Sequence, residues 1–199
     1  MIKNVILDMG NVLLSYEPES YAGILSSKKA APFILKELYL GEDWPKQDLG
    51  LVGKEELYEL VKPRVPEEYH EDLRKNVYGW SDLMRPIPGA ADFLKEMKAE
   101  GYRLFVLSNA GVDFHEYFPR HYDVSLFDGL VVSCDLHITK PDRRIYESLL
   151  ESYGLKAEEC IFADDLPRNV AGAETLGIHG FLFRGDYREL LEEIDRINC

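Results

Sequence analysis

The stretch Val5-Ile6-Leu7-Asp8-Met9-Gly10-Asn11-Val12-Leu13 sets a short apolar run directly before a carboxylate. A short, continuous apolar run suits a strand buried on both faces, as in a parallel sheet. Similar runs recur at residues 103–107, 129–132, 160–163 and 177–183. Helix-length stretches lie between them, and each ends at a glycine. Residues 88–100 stop at Gly101, residues 141–153 at Gly154 and residues 166–176 at Gly177. Glycine just past a helix is a common left-handed cap. This alternation predicts an α/β fold with an open, doubly wound, Rossmann-like parallel sheet.

Residues 17–83 break the alternation. Ile34, Leu35 and Leu38, then Leu57, Leu60 and Val61, then Tyr69, Leu73 and Val77 recur at helical spacing. Turn residues punctuate the stretch at Gly41, at Gly50-Leu51-Val52-Gly53 and at Pro63 to Pro66. The pattern predicts a helical module, residues 16–83, inserted into a core of residues 1–15 and 84–199. Its apolar stripes are expected to pack as the module's own core.

The 199 residues carry 36 acidic and 23 basic side chains, a net charge of −13. Such a surface repels a polyanion and argues against nucleic acid as a partner. A small phosphorylated ligand is compatible, because a cation and a few local donors can reverse the field at one site. No apolar run approaches the roughly 20 residues of a membrane span. The N-terminus has no signal-peptide pattern. The three cysteines, Cys134, Cys160 and Cys199, show no close pairing. These features lead us to expect reduced thiols, a cytoplasmic location and no membrane partner.

Ligands of open parallel sheets bind at the carboxyl ends of the strands. Asp8 follows the first run. Ser108 and Asn109 follow the second, a loop to Lys140 follows the third, and Asp164 and Asp165 follow the fourth. Each alone has a simpler reading as a turn or cap residue. Together they meet the needs of phosphoryl transfer. A carboxylate attacks phosphorus, a hard cation held by oxygen ligands screens the charge, and lysine and hydroxyl donors hold the equatorial oxygens.

With these residues in order, the sequence resembles the haloacid-dehalogenase-like hydrolase superfamily over essentially its whole length. The likeness rests on the first stretch, on Val106-Leu107-Ser108-Asn109, on Lys140-Pro141-Asp142, and on Phe162-Ala163-Asp164-Asp165 with Asn169, Gly172 and Ala173. The resemblance implies a Rossmann-like core with a helical cap after the first motif. It implies that Asp8 is the nucleophile and that Ser108, with Asn109 beside it, holds the phosphoryl group. Lys140 is implied to neutralise nucleophile and phosphate. Asp8, Asp165 and the Gly10 carbonyl are implied to bind Mg²⁺, while Asp164 and Asn169 hold the waters around it.

The first motif is similar to the branch that includes bacterial phosphatases of sugar phosphates such as glucose 1-phosphate. The expected activity is therefore a Mg²⁺-dependent phosphomonoesterase acting on a small phosphorylated metabolite, as a monomer or homodimer. Most phosphatases of the superfamily carry an aspartate where this chain has Gly10, and that aspartate is the general acid and base. Substitutes weighed from the sequence are Glu17, Asp43 and His70, with Trp44 as a stacking face for substrate. His137 is a further departure, in the loop before Lys140. Two other readings are a metal-independent dehalogenase-type hydrolase and a catalytically weak binding or regulatory protein.

Overall fold

Strand β1 (Asn4–Leu7) is the central strand of a five-stranded sheet. The computed structural model describes residues 1–199. A helical stretch follows β1: α1 (Pro18–Leu25), α2 (Ala31–Ile34) running into a π-helical turn (Leu35–Tyr39), α3 (Trp44–Asp48), α4 (Lys54–Val61) and α5 (His70–Gly79). The remainder alternates: α6 (Ala90–Ala99), β2 (Arg103–Ser108), α7 (Phe114–Tyr117), β3 (Gly129–Val132), α8 (Ser133–Leu136) and α9 (Arg143–Tyr153). It ends with β4 (Cys160–Asp164), α10 (Pro167–Glu174), β5 (His179–Leu182) and α11 (Tyr187–Asn198).

All five strands are parallel, in the order β3-β2-β1-β4-β5. Asn4 lies beside Arg103 and Cys160, and Leu7 beside Val106 and Ala163. The chain builds outward to one side of β1 and then crosses to the other. The carboxyl end of β1 therefore sits at the topological switch point, where such sheets open a crevice.

The strands bury both faces by alternation. Val5, Leu7, Leu104, Val106, Ile161 and Ala163 join the large core, which also takes in the helical stretch. Ile6, Phe105, Leu107, Cys160 and Phe162 point the other way, onto Ile145, Tyr146 and Leu149 of α9. The helical stripes contain Ile34, Leu38, Leu57, Val61, Leu73 and Val77, all fully buried. They do not form a core of their own, as the sequence suggested. They run without a break into one face of the sheet's core.

The chain leaves for the helical stretch and returns from it side by side. Ser15 N–H donates to the Arg85 carbonyl at 2.8 Å and Ile87 N–H to the Leu13 carbonyl at 2.9 Å, with Leu14 and Pro86 paired antiparallel. The predicted stops are real: Gly101, Gly154 and Gly177 all have positive φ. Helix α11 was not read from the sequence. It is capped by the Asp186 side chain, which accepts from Arg188 N–H, and it buries Tyr187, Leu190 and Ile194.

Candidate active site

Asp8 directly follows the buried β1, so its carboxylate is fixed at the strand's end with only 7% of the residue exposed. Its Oδ1 accepts from Met9 N–H at 2.6 Å and lies 2.8 Å from Lys140 Nζ. The same ammonium donates to Asp164 Oδ2 at 2.7 Å and to the Leu107 carbonyl at 2.8 Å. All three lysine protons thus have acceptors. Burial works against the charge on Lys140, but Asp8 and Asp164 raise its pKa above the usual lysine range. Burial likewise pushes the Asp8 carboxyl upward, with Lys140 opposing.

Asn109 reaches the site in a different way from that expected. Its side-chain Oδ1 accepts from Lys140 N–H at 2.7 Å and its Nδ2 donates to the Lys140 carbonyl at 3.0 Å. The amide sets the lysine's backbone, and the second Nδ2 proton has no protein acceptor where Asn109 lines the cavity. Asp164 is fully buried and held by Lys140, by Asn169 Nδ2 at 3.0 Å and by Leu166 N–H at 2.8 Å.

The carboxylates of Asp8, Asp164 and Asp165 offer oxygens within 4.8 Å of one another. Three negative charges against the one of Lys140 leave an excess of two. That excess and an all-oxygen donor set fit a hard divalent cation. Two buried polar atoms of predicted site residues also lack any protein partner: Ser108 Oγ and Asn169 Oδ1. Such orphans are costly unless a ligand, ion or water completes them.

Asn11 is a site residue the sequence reading missed. It follows Gly10 with φ 55°, a left-handed conformation that Asn tolerates better than most residues. Its Oδ1 accepts from Tyr16 N–H at 2.9 Å and its Nδ2 donates to Asp165 Oδ2 at 3.0 Å. One side chain therefore closes the turn after β1 and orients Asp165.

Above these groups lies a cavity of 420 Å³. Its floor includes Asp8, Gly10, Asn109, Lys140, Asp165 and Asn169, and its walls include Tyr16, Tyr39, Trp44, Gln47, Asp48, Trp80 and Tyr117. Trp44 lines the cavity and is also part of the large core. Glu17, Asp43 and His70 do not line the cavity. Glu17 stands at the residue before α1, and its side chain makes no cap hydrogen bond there. Asp43 is buried, but Lys46 at 2.6 Å and Arg64 at 2.5 Å hold its carboxyl below the usual carboxylate range, leaving no proton to give. His70 Nε2 is spent on the Val65 carbonyl at 3.0 Å. His137 adopts φ 55° and turns Nδ1 onto the Leu49 carbonyl at 2.7 Å, so it ties the loop to the helical stretch.

Asp48, at the end of α3, is the other missed residue. Burial pushes its carboxyl up to about 7, Asp113 adding to the rise and Lys140 opposing it.

Known proteins resemble this chain over nearly its whole length. The sesquiterpene phosphatase astK of Aspergillus oryzae is 25% identical over 198 residues, spanning 99% of this chain and 97% of that protein. A glyceraldehyde 3-phosphate phosphatase of Methanothermobacter thermautotrophicus is 26% identical over 216 residues, 95% and 88% of the two chains. Among solved structures, a HAD family enzyme of Bacteroides thetaiotaomicron in complex with magnesium and inorganic phosphate superposes with a TM-score of 0.75. It is 20% identical, and the match covers 96% of this chain and 99% of that one. The family model described as haloacid dehalogenase-like hydrolase matches residues 2–177. A match of that extent, taking in Asp8, Ser108, Lys140 and Asp165, makes the chain a member of the haloacid dehalogenase-like hydrolases.

Proposed function

We propose that the protein is a Mg²⁺-dependent phosphomonoesterase that hydrolyses a small phosphorylated metabolite through a phospho-aspartyl intermediate on Asp8. The observation that carries this reading is the ion pair of Asp8 and Lys140 inside a group of three carboxylates, with the Ser108 hydroxyl unpartnered beside it. Asp8, Asp165 and the Gly10 carbonyl would hold the cation, whose charge lets an anion approach a phosphate. Asp8 Oδ attacks phosphorus in line with the leaving oxygen and forms an acyl phosphate. Lys140 stays cationic beside the transferring group, fixed by Asp164 and Asn109. Ser108 Oγ donates to an equatorial oxygen, where charge develops. Water then attacks the phosphorus of phospho-Asp8 and releases inorganic phosphate.

For the substrate we favour a sugar phosphate such as a hexose 1-phosphate. Gln47 Oε1 and Trp80 Nε1 are buried without partners on the cavity wall, where hydroxyl groups would satisfy them. Trp44 offers the stacking face. The volume lies within the usual range for small-ligand sites, about 300–1,000 Å³. We assign residues 16–83 to a cap over a core of residues 1–15 and 84–199. We place the protein in the cytoplasm, as a monomer or homodimer. Its three cysteines are unpaired, and no helix is long and apolar enough to cross a membrane.

The test is turnover of p-nitrophenyl phosphate by the wild type and by Asp8→Asn, with Mg²⁺ and with EDTA. Only the wild type with Mg²⁺ is expected to turn over. Full activity in Asp8→Asn would overturn the reading. Chloride release from a 2-haloacid in EDTA would favour carbon-centred hydrolysis instead. A screen of hexose, triose and prenyl phosphates then ranks the leaving groups.

A further inference from the structure

We infer that Asp48 is the catalytic general acid and base, taking the place of the side chain that Gly10 lacks. This rests on the phosphatase reading above.

The first argument is placement. Besides Asp8 and Asp165, Asp48 is the carboxylate that lines the cavity. It comes from the helical stretch and lines the same cavity as Asp8, Lys140 and Asp165. Its carboxylate has no hydrogen-bond or ion-pair partner within the protein. The other acidic groups nearby lie outside the cavity lining: Asp113, 3.3 Å from Lys54, and Asp43, paired with Lys46 and Arg64.

The second argument is rigidity. Ser133 Oγ donates to the Asp48 carbonyl at 2.5 Å and accepts from Ala110 N–H at 3.0 Å. The next carbonyl, that of Leu49, is held by His137. Gly50 has φ 65°, and a Cβ there would sit 2.5 Å from the Cys134 carbonyl oxygen. Three successive residues are thus seated on α8 and on His137, the residue that follows it, which holds the Asp48 backbone in place beside the site.

The third argument is protonation. The charged and titratable groups around Asp48 are Asp113 and Lys140, with Asp8, Asp165, Arg168, Tyr16, Tyr39 and Tyr117 lining the same cavity. Burial and Asp113 outweigh Lys140, so the carboxyl titrates at about 7. Both forms are then available near neutrality, which suits a group that acts as acid and then as base.

The steps balance. As Asp8 Oδ bonds to phosphorus, the bond from phosphorus to the leaving oxygen breaks, and that oxygen takes the proton of Asp48. The Asp48 carboxylate then removes a proton from water as the water oxygen attacks phospho-Asp8. The bond from Asp8 to phosphorus breaks, leaving inorganic phosphate, Asp8 as carboxylate and Asp48 protonated again.

Pre-steady-state kinetics of the wild type, Asp48→Asn and Asp48→Glu provide the test, using p-nitrophenyl phosphate and glycerol 1-phosphate with Mg²⁺. A nitrophenolate leaves without a proton, so Asp48→Asn is expected to keep the first-turnover burst and then accumulate phosphoenzyme, seen by intact mass. With the alkyl phosphate its kcat is expected to fall about 10²–10⁴-fold, with partial recovery in Asp48→Glu. The wild type supplies a readout that needs no variant to fold. Its alkyl-phosphate rate declines as pH rises through about 7, while the aryl burst does not. Wild-type alkyl turnover in Asp48→Asn, or the same alkaline limb for both substrates, would overturn the assignment while leaving the phosphatase reading intact. A wild type that never forms phosphoenzyme would sink both.

Discussion

Lys140 carries more of the site than its single charge suggests. With 1% of its side chain exposed, it is the one cation within ion-pair distance of two buried carboxylates. Removing one partner of a buried pair leaves an uncompensated charge and costs about 3–5 kcal/mol. Lys140→Met is therefore expected to lower the unfolding free energy by about that amount, read by denaturant titration, and to abolish turnover. Asp48 gives a prediction of opposite sense. Its carboxyl holds a proton to about 7 in the fold, against an ordinary value of 3.8. Folding takes up that proton, so this contribution is full below about 4 and is lost as pH rises through about 7. Asparagine has no such window. The melting temperature of Asp48→Asn relative to the wild type is expected to climb across it, at about 2–4 °C per kcal/mol for a chain of this size. Asp8, Lys140, Asp164 and Asp165 were legible because each directly follows a strand or its loop. Asp48 was not, since Lys46-Gln47-Asp48 reads locally as a helix end, and only the docking of that segment aims its carboxylate.

At the scale of elements, the sequence read best where local chemistry decides. Helix α9 is the clearest case. Asp142 caps it by accepting from Arg144 N–H at 3.0 Å, and Gly154 closes it at φ 60° and ψ 41°. A Cβ on Gly154 would meet open space, so the cost of Gly154→Ala is conformational alone, about 1–2 kcal/mol. Thermal melts should show that loss with kcat unchanged, and Gly154→Asn should lose less, because Asn tolerates the left-handed region. Helix starts were read a residue or two early, because a cap residue and the helix it precedes look alike in sequence. The helical stretch was legible as helical but not as continuous with the sheet's core. Spacing shows which residues share a face and leaves open which other face they meet. The π-helical turn at Leu35–Tyr39 has no such local signal. It brings Tyr39, which is 5% exposed, into the aromatic group with Trp44.

For the whole molecule, the site is a seam between two parts of the chain. The sheet side supplies the clustered Asp8, Asp164 and Asp165 and the lysine, while the helical stretch supplies Asp48 and most of the wall. Polar ties close the seam beside the cavity, from Ser133, His137 and Lys54 to the segments they meet. A cation that binds the folded carboxylate group and not the unfolded chain stabilises the whole fold by mass action. Saturating Mg²⁺ is expected to raise the melting temperature of the wild type, and much less that of Asp165→Asn. Calorimetry with inorganic phosphate should show binding that depends on the cation.

The aromatic wall has an optical consequence. The chain has two tryptophans, and both line the cavity, their ring centroids 5.4 Å apart and their planes inclined at 67°. Tyr16 lies 6.3 Å from one and 5.9 Å from the other. The protein's entire indole emission therefore originates at the chamber where a ligand sits. Occupancy should be visible as a change in unlabelled fluorescence, and Trp44→Phe and Trp80→Phe divide that signal between the two walls.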